Sequence, residues 1–464
     1  MSPWISSLRR WLRTDFGLGL SLGLLFLAAM IVWQFSGRGN ILALAFVGLI
    51  GAAILLQWPF LGALYISFSL FARMASILPG TDTAIVILTL LSYGFRKLLA
   101  GNLSWRFPAS ARWAVLLIAW LALSITWAQS AANGVAALVM YLKSLLLFFV
   151  VLEAAQNYRK IIHLIYAALA GGILSALISA YTGFRFFFGG AAAQLSTMVA
   201  VENTRLYGQW YDPNYFALAL LALLGIAFSL WRTGWRPVAR VFAAAGFVFV
   251  TIGIVLSLSR GAILATLVAL ALCLWVERRR VPILVFVLAF IVLLLAVVPV
   301  NLVERIETMT TAARDASIHR RSQLLSGGIE MTIDSFPLGV GLGNFLNHSL
   351  SHAKIDTPKL AHNSYLDFAA EGGVVALLLF AGFVVSLVRA TRVPRFRFDP
   401  ASWSDGLAIG LRISLIAFLL GATFLSAGAF GPLWWLAGMV AAKAACDAEV
   451  ESQEARAPVA LQPT

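Results

Sequence analysis

Apolar residues in this chain come in long runs of about 17–22, separated by short polar stretches, and runs of that length cross a bilayer core of about 30 Å. The pattern predicts spans near 17–36, 40–57, 59–78, 82–98, 113–129, 132–153, 160–181, 212–231, 238–257, 260–277, 281–300, 363–390, 409–428 and 430–446. Two connections, Trp58-Pro59 and Ser259-Arg260, are tight enough to be breaks or re-entrant turns, which would leave twelve spans. The expected fold is an all-α, polytopic helical membrane protein of 12–14 transmembrane helices.

Loop charge orients these spans. With the N-terminus inside, the inside loops hold Arg96, Lys97, Arg106 and Arg112; Arg159 and Lys160; Arg232, Arg236 and Arg240; Arg278 to Arg280; and Arg389, Arg392, Arg395 and Arg397. Most outside loops are short and nearly uncharged. By the positive-inside rule both termini are then cytoplasmic. Two outside loops are long, about 182–211 and 301–362, and the second should contain short helices. Arg9, Arg10 and Arg13 precede an apolar run too long for a secretory signal, so this run is expected to be a retained first span. The chain divides into N-terminal spans (1–200), a region holding the candidate chemistry (201–446, including the loop 301–362) and a polar, disordered tail (447–464).

Composition agrees with this reading. Of the 464 residues 61% are hydrophobic and the mean hydropathy is +0.89, which leaves no room for a large soluble domain. The net charge of +14 would suggest nucleic acid in a soluble protein, but its distribution over short loops is a topology signal, so a nucleic-acid partner is not expected. Cys273 and Cys446 lie in separate apolar runs, and indicate neither a disulfide framework nor a metal site.

The candidate chemistry falls on the outer side. Asp212-Pro213-Asn214 is a helix start, with a capping acid and proline in the first turn. That does not explain Arg205 on the side poor in positive charge, where it could contact an anion. Arg260 stands between two apolar runs, an expensive place for a cation and a functional candidate by default. Residues 315–345 read as an amphipathic helix, a turn at Ser335–Pro337 and a glycine-rich stretch. Gly339, Gly341 and Gly343 weakly suggest a phosphate loop, but no strand-helix-strand unit surrounds them, so close backbone packing is the better explanation. Arg320 and Arg321 could hold a phosphate or simply solvate the helix. The loop 301–362 carries four of the five histidines: His319, His348, His352 and His362. His362 directly precedes a span whose Asn363, Asp367 and Glu371 share one helical face. Carboxylates inside an apolar span usually face a cavity or a cation, and a histidine beside them can exchange a proton near neutral pH. No Walker A, HExxH, GxSxG or EF-hand pattern is present, so neither a cofactor nor a bound metal is expected.

Together, R-x-x-G-x-x-x-DPN (Arg205 to Asn214), SRGA (Ser259 to Ala262), PLGVGLGNF (Pro337 to Phe345) and HNSYLDFAAEGG (His362 to Gly373) resemble the O-antigen ligase and Wzy-type polysaccharide polymerase superfamily, over about residues 200–430. The resemblance implies a bacterial inner-membrane glycosyltransferase acting at the periplasmic face. Its donor would be a glycan on undecaprenyl diphosphate. The acceptor would be a hydroxyl of lipid A-core in a ligase, or of a second lipid-linked glycan in a polymerase. It further implies Arg205 and Arg260 as diphosphate contacts and His362 as the base, with Asn363, Asp367 and Glu371 supporting it and Arg320 and Arg321 as further anion contacts. The reaction expected is inverting and needs neither metal nor ATP, and the ligase reading is slightly preferred. A flippase for lipid-linked oligosaccharide is the alternative of a different class. It is disfavoured because the polar candidates cluster near one face and the chain shows no repeated halves.

Overall fold

The computed structural model describes residues 51–74, 80–188, 210–277, 312–392 and 403–456 apart from 103, 211 and 235, with the isolated positions 48, 284 and 287. Among the described residues the chain forms helices and turns, without strands. In chain order these are α1 (Gly51–Gln57), α2 (Pro59–Ala72), α3 (Thr81–Leu99), α4 (Ala109–Ser124), α5 (Ala131–Ala154), α6 (Tyr158–Phe188), α7 (Pro213–Thr233), α8 (Pro237–Leu256), α9 (Arg260–Val276), α10 (Ala312–Asp334), α11 (Phe345–His352), α12 (Ser364–Ala390), α13 (Trp403–Gly421) and α14 (Gly431–Arg456).

Seven helices among the described residues are long and apolar enough to cross a membrane, or eight if α1 and α2, bent by 114° at Trp58, make one span. This is fewer than twelve to fourteen. The expected span 17–36, nearly all of 281–300 and most of 40–57 lie outside the described residues. Of the others, α9 has only 17 residues, α3 ends in Arg96 and Lys97, and α14 ends in a run of charges. That last helix runs to Arg456, beyond the boundary at 447 expected for a disordered tail. Lys443 pairs with Asp447 one turn later, and Glu449 pairs with Arg106 at 2.6 Å, so the polar end is tied to the bundle.

α7 is apolar on every face and buried almost throughout, as a helix at the centre of a bundle must be. Its approach to α13 depends on small residues: a Cβ on Gly225 would lie 2.5 Å from the Gly410 carbonyl oxygen, and Ser414 Oγ accepts from Gly225 N–H at 3.0 Å. α10 and the short α11 pack on the start of α12 through a second, smaller core that includes Leu324, Met331, Phe345 and Leu366.

The glycine-rich stretch has a structural function. α12 is kinked at Gly373 (φ 69°), a conformation suited to glycine, and a Cβ there would lie 2.0 Å from the Pro337 carbonyl oxygen. The kink exposes carbonyls that the loop then satisfies. Val340 N–H donates to Ala370 O and Gly341 N–H to Glu371 O, both at 2.8 Å, while Trp120 Nε1 donates to Gly372 O at 2.7 Å. Residues 337–343 are therefore a wedge against the broken helix, as close backbone packing requires.

Candidate active site

α7, α9, α12 and α14 begin at one end of the bundle, and α4, α8 and α13 finish there. The segment after α13, Leu425 to Ala427, joins these elements. Ser364 Oγ donates to Leu425 O at 2.6 Å and accepts from Ala427 N–H at 2.8 Å. Tyr215 Oη, on α7, donates to Ser426 O at 2.6 Å. Gly428 lies so close to α5 that a Cβ would be 2.4 Å from Tyr141 Oη.

His362 sits on this hub. Its main chain is left-handed (φ 52°) and its N–H donates to Ser426 Oγ at 3.1 Å. That contact compensates for a backbone geometry a non-glycine residue rarely adopts. The residue reaches solvent, yet enough of the ring is covered that desolvation lowers its pKa below the ordinary histidine range. The Arg321 and Lys359 charges lower it further, and Asp212 opposes them. The ring is thus neutral at pH 7 and can accept a proton.

The expected partners of His362 divide into distinct roles. Asn363 is the N-cap of α12, its Oδ1 accepting from Tyr365 N–H (3.0 Å) and Leu366 N–H (3.2 Å). Glu371 Oε1 accepts from Phe345 N–H at 3.1 Å, so its carboxylate holds the end of the glycine wedge. Asp367 lies beside Ser426 and the Ala361 N–H, with a buried Oδ1 that has no hydrogen-bond partner among the described residues. A buried acceptor left unmade is costly and needs an explanation.

Among the cations, Arg321 lies on α10 close enough to act electrostatically on His362. Arg260 opens α9 and is exposed. It is joined to the hub indirectly, because Gly261 packs on the Phe424 ring, where a Cβ would meet Cδ2 at 2.7 Å. No hydrogen bond or ion pair among the described residues joins Arg260 or Arg321 to a carboxylate. Arg320 is on the same helix as Arg321. Arg205 and His319's neighbours before 312 fall differently: Arg205 lies outside the described residues, as do 301–311.

Residues 245–381 match the family model of O-antigen ligase. Over these residues the chain is similar to the O-antigen ligase family. Comparison with curated proteins found no match. With its apolar helices, that similarity makes this a multi-pass membrane protein with a glycosyltransferase-like function of the ligase or polymerase type. The O-antigen ligase match includes Arg260, Arg320, Arg321, His362, Asn363, Asp367 and Glu371. Asp212, Tyr215 and Ser426, which complete the surroundings of His362, lie outside it. Sequence reasoning read Asp212 only as a cap, a function it does perform by accepting from Asn214 N–H at 2.6 Å, and it missed Lys359, Tyr215 and Ser426. Ser426 lay in a small uncharged loop, which carried no chemical signal.

Proposed function

We propose that this protein transfers a glycan from a lipid diphosphate, undecaprenyl diphosphate by family, to a sugar hydroxyl, with His362 as general base. The observation that carries this reading is His362, held by its N–H on the Ser426 hub, with Arg321 close enough to act on it electrostatically and no ion pair to Arg321 or Arg260 among the described residues. The acceptor O–H loses its proton to the His362 ring as its oxygen attacks the anomeric carbon. The bond from that carbon to the diphosphate oxygen breaks on the opposite face, and the lipid diphosphate leaves with the electron pair. The anomeric configuration inverts in this single displacement.

The donor carries its own leaving group, so the principal need is to stabilise charge developing on the diphosphate. Guanidiniums that close on the diphosphate supply it, each such contact being worth about 3–4 kcal/mol in the transition state once the bound donor excludes water. Arg260 and Arg321 are assigned this role, with Arg205 and Arg320 as further contacts. The buried Asp367 oxygen is placed to accept from a ligand hydroxyl or to orient the ring, while Asn363 and Glu371 fix the start of α12 and the wedge. No metal or cofactor enters the reaction. The site would face the periplasm across the inner membrane, in keeping with the basic loops at the other end.

The test is glycan transfer by purified protein in nanodiscs, with an undecaprenyl-diphosphate glycan and either lipid A-core or a second lipid-linked glycan. A product on lipid A-core, lost in His362→Ala, supports the preferred ligase reading. A ladder on the lipid-linked glycan supports a polymerase. Movement of lipid-linked glycan across the membrane without transfer to either acceptor would sink the enzyme reading in favour of a flippase.

A further inference from the structure

At the end of the bundle remote from His362, a cavity of about 340 Å³ opens between α2, α3 and the start of α6. Its lining includes Trp58, Phe60, Arg96, Lys97, Asn102 and Lys160, and no carboxylate among the described residues. Lys97 is neutralised from behind, through Glu153 at 2.6 Å. Arg96 donates to the Gln57 carbonyl, a neutral acceptor that leaves the guanidinium its charge. Lys160 Nζ donates to Gln156 Oε1 at 3.0 Å and lies 5.3 Å over the Phe60 ring. The pocket therefore gathers the cationic side chains of Arg96 and Lys160, besides the paired Lys97, within aromatic walls.

Beside it, α3 carries an apolar stripe with no cover among the described residues: Ile87, Leu91, Phe95 and Leu98 are 42%, 63%, 54% and 58% exposed. Their spacing of four, four and three places them on one face, and Arg96, which lines the cavity, lies in the last turn of the stripe. A cationic pocket at the end of a lipid-facing stripe matches an amphiphile with an anionic head. We propose that this cavity binds the phosphate head group of an anionic phospholipid, with an acyl chain along the α3 stripe. Basic pockets between helices on the positively charged side of a membrane protein suit such head groups. Charge-assisted hydrogen bonds from a guanidinium and an ammonium supply selectivity over zwitterionic lipid, whose own ammonium would be repelled.

The full chain in detergent would be titrated with phosphatidylglycerol, phosphatidylcholine or inorganic phosphate, and bound lipid counted by native mass spectrometry. Phosphatidylglycerol should be retained over phosphatidylcholine. Arg96→Gln/Lys160→Gln should lower its occupancy about ten- to thirtyfold, from roughly one kcal/mol per cation. A charge-matched double variant at the same end, Arg112→Gln/Arg392→Gln, should retain it. Equal retention of both lipids by the wild type would overturn the site, a result independent of whether any variant folds. Equal loss in both double variants would reduce it to general surface attraction. If inorganic phosphate displaced the lipid at equal concentration, the cavity would be a free-anion site and the lipid assignment wrong.

Discussion

The two ends of this bundle are both rich in cations but use them in opposite ways. At the end remote from His362 four of them are held in structural ion pairs. Lys97 pairs with Glu153 at 2.6 Å, Arg106 with Glu449 at 2.6 Å, Arg232 with Glu277, and Lys443 with Asp447. At the His362 end a weak contact joins His352 to the exposed Asp334, at 3.6 Å. Arg260 and Arg321 have no such partner among the described residues. A cation that carries a carboxylate beside it has little field left for a ligand; one held rigidly without a counterion has nearly all of it. The cavity near Arg96 differs from these pairs in that no carboxylate among the described residues lines it.

The largest expected effect is at the base. His362→Ala should lower the rate of glycan transfer by about 10²–10⁴-fold, the usual range for general base catalysis, with little change in the melting temperature. Next, Arg260→Gln should cost about 10²–10³-fold in the same assay, as loss of one charge-stabilising donor does. An equal loss on neutralising Arg112 at the remote end would erase the distinction between the ends.

Two substitutions test the scaffold instead. Gly373→Ala forces a Cβ onto the Pro337 carbonyl at a left-handed φ. It should destabilise the protein by about 2–4 kcal/mol, measured by thermal unfolding in detergent. Glu153→Gln breaks a pair whose acid is 3% exposed and should cost about 3 kcal/mol, while leaving the pH profile of transfer unchanged.

Much of the fold was legible because burial in lipid leaves a coarse signature. The runs expected at 132–153, 212–231, 238–257 and 363–390 coincide closely with α5, α7, α8 and α12. The Asp212 cap was also legible, since a capping acid followed by proline is a local motif. The break in α12 was not, because Glu371-Gly372-Gly373 reads as ordinary small-residue helix until Pro337 is known to press on it. Helical spacing put Asn363, Asp367 and Glu371 on one face, but only packing separates them: Asn363 turns back to its own helix, Glu371 to the wedge, and Asp367 to the hub. Likewise, the sequence marked Arg321 and His362 separately, and their electrostatic coupling exists only because the second core folds α10 over the start of α12.

The most direct measurement is the pH dependence of transfer in the wild type, Arg321→Gln and Asp212→Asn. Because burial, Arg321 and Lys359 lower the His362 pKa while Asp212 raises it, the acid limb of the wild-type profile should turn below the ordinary histidine value of about 6.5. Removing the Arg321 charge should move that limb to higher pH, and removing the Asp212 charge should move it lower. The same acid limb in all three proteins, or a normal limb surviving in His362→Ala, would contradict His362 as the base.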